Sequence, residues 1–152
     1  MSNVKLKAWG FIASCVFFVV SLVYPCYRVV VEMAFGDPYI RTIRIGTRLI
    51  GLAFFLLAVW GIYIALKGEK KLAFIPAVSI DILLVITLSY LYISSQNFDG
   101  IFLVFEDFFS YYINDIALSM TTHFTGGFFF NVITAIATGV TGFLLATDKN
   151  EY

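Results

Sequence analysis

Apolar positions along this chain fall into four blocks, Ala8–Tyr24, Leu49–Leu66, Leu72–Ile93 and Phe128–Ala146, and the charged positions collect between and around them. At ~1.5 Å per residue each block is long enough to cross a hydrocarbon core of about 30 Å, some more snugly than others. None alternates every second residue, as the strands of an outer-membrane barrel do. The pattern predicts an all-α polytopic membrane protein: a single membrane domain over 1–152, built as a four-transmembrane-helix bundle.

Local signals extend this outline. Asp37-Pro38 reads as an N-cap followed by proline at the first helical position, so the second helix is expected to begin about ten residues before its apolar block. Gly68 is its natural stop. On that extension Arg41, Arg44 and Arg48 stand at i, i+3 and i+7 and make one positive stripe. Between spans three and four, an extracytoplasmic interfacial amphipathic helix is expected over 101–120. Ile101, Phe105, Phe108, Phe109, Tyr112 and Ile116 share one arc, and Glu106, Asp107, Ser110 and Asn114 the other. A fifth span here would bury Glu106, Asp107 and Asp115 at roughly 2–3 kcal/mol each, so it is rejected. Helices that bind anionic lipid by charge are basic, whereas this one is acidic. It is therefore expected to fold over the outer end of helix two, pairing Glu106 or Asp107 with Arg41, Arg44 or Arg48. The alternative is that both faces are simply solvated, with exposed pairs contributing about 0–1 kcal/mol.

Composition strengthens the membrane reading. The 152 residues are 61% hydrophobic and only 13% charged, about half the roughly one quarter charged residues of a soluble domain. With four spans, Lys5, Lys7, Lys67, Lys70, Lys71 and Lys149 all fall on one side, and Arg28, Arg41, Arg44 and Arg48 on the other. Three lysines crowd the hairpin Lys67–Lys71, where the positive-inside rule acts most strongly, which places both termini in the cytoplasm. The absence of N-glycosylation sequons suits a bacterial inner membrane. Lys5 and Lys7 resemble the basic region of a signal peptide. No small-residue cleavage site follows, however, and Val23-Tyr24-Pro25-Cys26 is a poor lipidation box, so an uncleaved first helix is expected. Zero net charge and outward-facing arginines exclude nucleic-acid binding.

Candidate chemistry centres on Asp81, the tenth residue of the third block and so near the midplane, where an ionisable group is by default a functional hypothesis. Depth matching sets it level with Leu57, within a turn of Trp60, near Thr138 on the last helix and near Phe17 and Ser14 on the first. Asn131, Thr134, Thr138 and Thr141 form a polar stripe on the last helix, beside a small-residue stripe of Ala135, Gly139, Gly142 and Ala146. Small residues let helices approach and hydroxyls bond across the contact. The last helix is therefore expected on the third, with Asp81 bonded to Thr138 or Thr134. Asp81, Thr134, Thr138 and Trp60 make up the intramembrane polar site. In one reading Asp81 exchanges a proton or cation during transport, and in the other it fixes helix register.

Other motifs lead nowhere catalytic. Asp115, Ser119 and His123 recur every four residues, but on one helix face the outer two stand about 12 Å apart, too far for a triad. His123 alone makes no metal or haem site, and is expected to lead into the fourth helix. Cys15 and Cys26, taken as sharing the first helix, lie roughly 16 Å apart, beyond disulfide reach. Gly126-Gly127 reads as a hinge into the fourth span. No cofactor or metal is expected.

These absences, with the charge-segregated outer surface, point to a non-enzymatic protein that binds a membrane partner, either as an accessory subunit or as a protector. In layout (four spans, cytoplasmic termini, a basic inner hairpin) the chain is similar to the immunity proteins of pore-forming colicins, a likeness of arrangement without a shared motif. The rival reading is a small homo-oligomeric transporter or channel coupled through Asp81.

Overall fold

The computed structural model describes residues 2–33, 39–94 and 117–152. Helix α1 (Asn3–Ser21) is followed by strands β1 (Tyr27–Met33) and β2 (Tyr39–Ile43), helices α2 (Leu49–Lys67) and α3 (Phe74–Ser94), strand β3 (Ala117–Phe124) and helix α4 (Gly126–Ala146). All four helices are long and apolar enough to cross a membrane. The Ser2 hydroxyl caps α1 by accepting from the Lys5 amide. Gly68 ends α2 with a φ of 81°, a left-handed conformation that favours glycine. Pro76 falls in the first turn of α3, where its missing N–H costs no helical hydrogen bond.

The helices form a ring in chain order, α1 against α2 and α4, α3 against α2 and α4. The buried positions explain why. Val4, Ala8, Phe11, Cys15 and Phe18 repeat at alternating spacings of four and three on α1, as do Gly51, Phe54, Ala58, Gly61 and Ala65 on α2, and Ala73, Ala77, Ile80 and Leu84 leading into and along α3. Such spacing makes a narrow seam, suited to helices packed nearly side by side. Only 33% of each 18-residue apolar window is buried inside the chain. The outer surface carries Leu49, Val85, Ile86 and Ile133, while Ser21, Asn131, Thr134 and Thr138 lie within. A water-soluble bundle sorts its residues the other way.

Two expectations fail at the sheet end. Residues 39–43 do not extend α2. Tyr39, Ile40, Thr42 and Ile43 are aromatic or β-branched, so the segment suits a pleated strand, and it pairs with the valine run of β1. The arginine stripe is thereby broken up. Arg41 lies on β2, Arg44 precedes a 3-10 turn (Ile45–Thr47), and Arg48 is the N-cap of α2. The interfacial helix is likewise not continuous to 120, because residues 117–124 form β3, antiparallel to β1. The rest of it, over 101–116 with Glu106, Asp107 and Asp115, lies outside the described residues, as does Asp37-Pro38.

The sheet has the order β2-β1-β3 and closes the end of the bundle. The Cys26 amide donates to the Ile43 carbonyl at 2.9 Å, and the Cys26 carbonyl accepts from the Thr125 amide at 3.1 Å. Cys26 is therefore off the helix that was expected to hold both cysteines. It is buried with a free thiol that burial pushes up to about 11. Tyr27 and Phe124 meet edge to face at 5.0 Å, and Phe124 lies on Phe128 at the start of α4. Strand pairing satisfies the backbone where the chain passes from one helix to the next. Gly127 is packed rather than hinged: a Cβ there would lie 2.1 Å from the Pro25 carbonyl oxygen.

At the other end the Lys7 ammonium bonds the Asp148 carboxylate at 2.6 Å. Lys70 donates to the carbonyls of Asp148 and Asn150, and the Tyr152 hydroxyl donates to the Ala65 carbonyl at 2.8 Å. The tail after α4 is thus tied to the lysine-rich turn between α2 and α3, and the arginines stand at the opposite, sheet-bearing end.

Candidate functional site

Helix α4 presents two different faces to its neighbours. Its small-residue stripe meets α3: a Cβ on Gly142 would lie 2.6 Å from the Ala77 Cβ, and one on Gly139 would lie 2.1 Å from Asp81 Oδ2. The third and fourth helices therefore pack together as expected, with the carboxyl seated against Gly139. Asp81 Oδ1 is buried with no hydrogen-bond partner. The residue as a whole is half-buried. It lines a groove of about 310 Å³ on the outer side of the α3–α4 seam with Val78, Ile136, Gly139, Val140 and Phe143.

The polar stripe of α4 turns instead to α1. Thr134 Oγ1 lies 3.2 Å from Ser21 Oγ, and Thr141 Oγ1 lies 3.3 Å from Ser14 Oγ. The expected bond from Thr138 or Thr134 to Asp81 is not made. The Thr138 hydroxyl donates to the Thr134 carbonyl at 2.8 Å, and the Thr134 hydroxyl lies 2.7 Å from the Phe130 carbonyl. The reason is rotational. Thr138 and Gly139 are adjacent, so they point about 100° apart, and one helix cannot offer both to the same neighbour. Asn131, fully buried on the α1 side, has neither amide atom hydrogen-bonded.

Trp60 is 42% exposed on α2 and does not line the Asp81 groove. Trp60 stands seven residues before the end of α2 and Asp81 seven after the start of α3, with the turn Lys70–Ala73 between the two helices. Of the charged outer set, Arg44 is exposed and Arg48 half-buried. Ser119 and His123 lie on β3 opposite Glu32 and Arg28, and His123 leads into α4 as expected.

Sequence reasoning missed one feature of the sheet end. A groove of about 570 Å³ runs between the end of α1 (Val19) with the turn after it (Val23) and the first turns of α2 (Leu52, Phe55), with Gly46 and Arg48 beside it. The signal available was the pair Gly46 and Gly51 bracketing Arg48, since glycine is needed wherever backbones approach closely. A Cβ on Gly51 would lie 2.4 Å from the Ile45 carbonyl oxygen.

Among the described residues no group of three His, Cys, Asp or Glu side chains converges on a metal position. Comparison with protein-family models, curated proteins and solved structures gives no match to this chain.

Proposed function

We propose that this chain is a multi-pass protein of a bacterial cytoplasmic membrane, both termini cytoplasmic, that catalyses no reaction. It acts by binding another membrane component, as an accessory subunit or an immunity-type protector does. The observation that carries this reading is the position of Asp81. The bundle interior is filled by wholly buried Phe11, Phe18, Phe54, Ile80 and Leu145, and the one carboxyl within the helical spans lies at an outer seam, half-buried and with Oδ1 unpartnered. An unsatisfied polar group in hydrocarbon costs several kcal/mol, and a neighbouring membrane helix that brings a donor to the groove, where the carboxyl turns to meet it, removes that cost. The lysine cluster at the α2–α3 turn supports the orientation. A second surface is the sheet end, where exposed Arg28 and Arg44 accompany Arg41 and Arg48.

The test is affinity purification in mild detergent from membranes co-expressing two differently tagged copies, as wild type and as Asp81→Ala. A stoichiometric membrane component, whether the second copy or another protein, should accompany the wild type and be depleted from the variant. Equal recovery of every component from both would end this reading.

A further inference from the structure

The proposed binding role leaves open what completes Asp81, and the outer face of α3 narrows the choice. Ile75, Val78, Ile82, Val85 and Ser89 are spaced three, four, three and four residues apart. Their directions fall within about 80° on the side of α3 opposite buried Ile80. Ile75, Ile82 and Val85 are exposed, Val85 by 64%. A straight seam at heptad spacing, β-branched at its first four positions, is what one helix offers to a parallel copy of itself.

The flanks of this seam are complementary. On the α4 side lies the Asp81 groove. On the α2 side lies Trp60, whose indole can only donate a hydrogen bond. Phe55 lines the groove toward α1, and Trp60 points about 140° away from it around α2, which is toward α3. A two-fold axis along the membrane normal through the α3 seam keeps every residue at its own depth. It sets the α2 flank of one copy against the α4 flank of the other. Trp60 stands within a turn of the level of Asp81, inside the reach of its long side chain, so the rotation brings each indole N–H towards the other copy's carboxyl, twice.

We propose that the chain forms a two-fold symmetric dimer through α3, in which Trp60 of each copy donates to Asp81 of the other. This rests on the reading that Asp81 is a contact site and names its occupant as a second copy of the chain. Such a contact is isologous and closed, which limits assembly to two.

The experiment uses the full chain in phosphatidylethanolamine/phosphatidylglycerol vesicles, with dimer fraction read by energy transfer between labelled copies across a dilution series in lipid. The wild type should dimerise. Trp60→Phe and Asp81→Ala should each weaken it about tenfold, the product of two symmetry-related bonds of about threefold each. The double variant should be no weaker than either single one. Asp81→Asn keeps an acceptor oxygen and should keep the dimer, which separates lost bonding from lost folding. A cysteine at Val85 should cross-link two copies on oxidation. One at Val16, 48% exposed on α1 across the ring from α3, should not. A monomeric wild type, a Trp60→Phe chain that dimerises as well as wild type, or equal cross-linking at Val16 and Val85 each overturns the dimer. Should the wild type be monomeric while another membrane protein is still lost with Asp81→Ala, the dimer fails and the binding reading survives.

Discussion

The two seams of α4 differ in how they handle polarity. Against α1 the helix lays hydroxyls on hydroxyls, and Thr134, Thr138 and Thr141 also bond carbonyls of their own helix. Against α3 it lays glycine on a carboxyl and offers that carboxyl no donor. The first seam makes its hydroxyl contacts within one chain, with the Asn131 amide as its one unbonded group. The second is closely packed yet chemically unfinished. A membrane helix pair gains little from hydrophobic contrast, since lipid is as apolar as leucine, so close packing and hydrogen bonds decide which seams hold. The α1 seam has both within the chain, whereas the α3 seam has close packing alone, with its one polar group turned to the outer groove.

Overfilling the α3 seam should break this contrast most severely. A side chain at Gly142 meets the Ala77 Cβ at 2.6 Å, Phe11 Cε2 at 3.1 Å and the Ala73 carbonyl oxygen at 3.3 Å, and none of these is the free end of a flexible chain. Gly142→Leu should therefore destabilise the bundle by about 3 kcal/mol or more, the upper range for overpacked cores. Unfolding in mixed micelles checks this, and a loss below that of an ordinary surface change would show that the helices do not approach so closely.

The contrast sharpens when one polar group is removed from each seam. Under dilute micellar conditions that keep copies apart, Asp81→Ala removes a buried oxygen without a partner and should stabilise the folded chain by about 1–3 kcal/mol. Thr134→Val removes a made interhelical contact and should destabilise it by about 0.6 kcal/mol. Opposite signs are the diagnostic result. Two losses of equal sign would mean that Asp81 has a partner within its own chain.

The four spans and the stop at Gly68 were legible because hydrophobic length and a left-handed glycine are local properties. So were the two stripes of α4, since both follow from spacing on one helix. The small stripe was assigned to α3 as found, but the polar stripe's turn towards α1 was not legible, because a stripe has a direction only once the ring order of the helices is known. The sheet escaped notice for a different reason. Tyr27–Met33 is a short valine-rich run whose strand character depends on β2 and β3, and the latter lies some 90 residues away in sequence. The Asp37-Pro38 signal fits the start of a helix, but proline is also tolerated at the first position or edge of a strand, so local propensity could not choose. Asp81 was recognisable as an exceptional residue. That it faces an outer groove needed the packing.

The smallest effect concerns the chain's other well-placed carboxyl, Asp148, which is the converse of Asp81. The Lys7 ammonium bonds it directly, the Asn150 amide donates to it, and Lys70 adds positive charge, so its pKa is lowered from the ordinary 3.8. A carboxyl whose pKa is depressed on folding contributes stability that is fully present above its unfolded value and is lost as pH falls through the folded one. The tether should therefore be insensitive to pH between 7 and 5 and weaken only below about 4. Because the ion pair stands at the aqueous end of the bundle, it should also be screened by salt. Proteolysis of the tail after α4, measured against pH, reads the tether without unfolding the bundle. Asp148→Asn should remove the acid-dependent step and leave the rate at neutral pH only slightly raised. A step that survives in that variant would assign the acid response to another group, and would leave no satisfied carboxyl with which to contrast the unsatisfied one at Asp81.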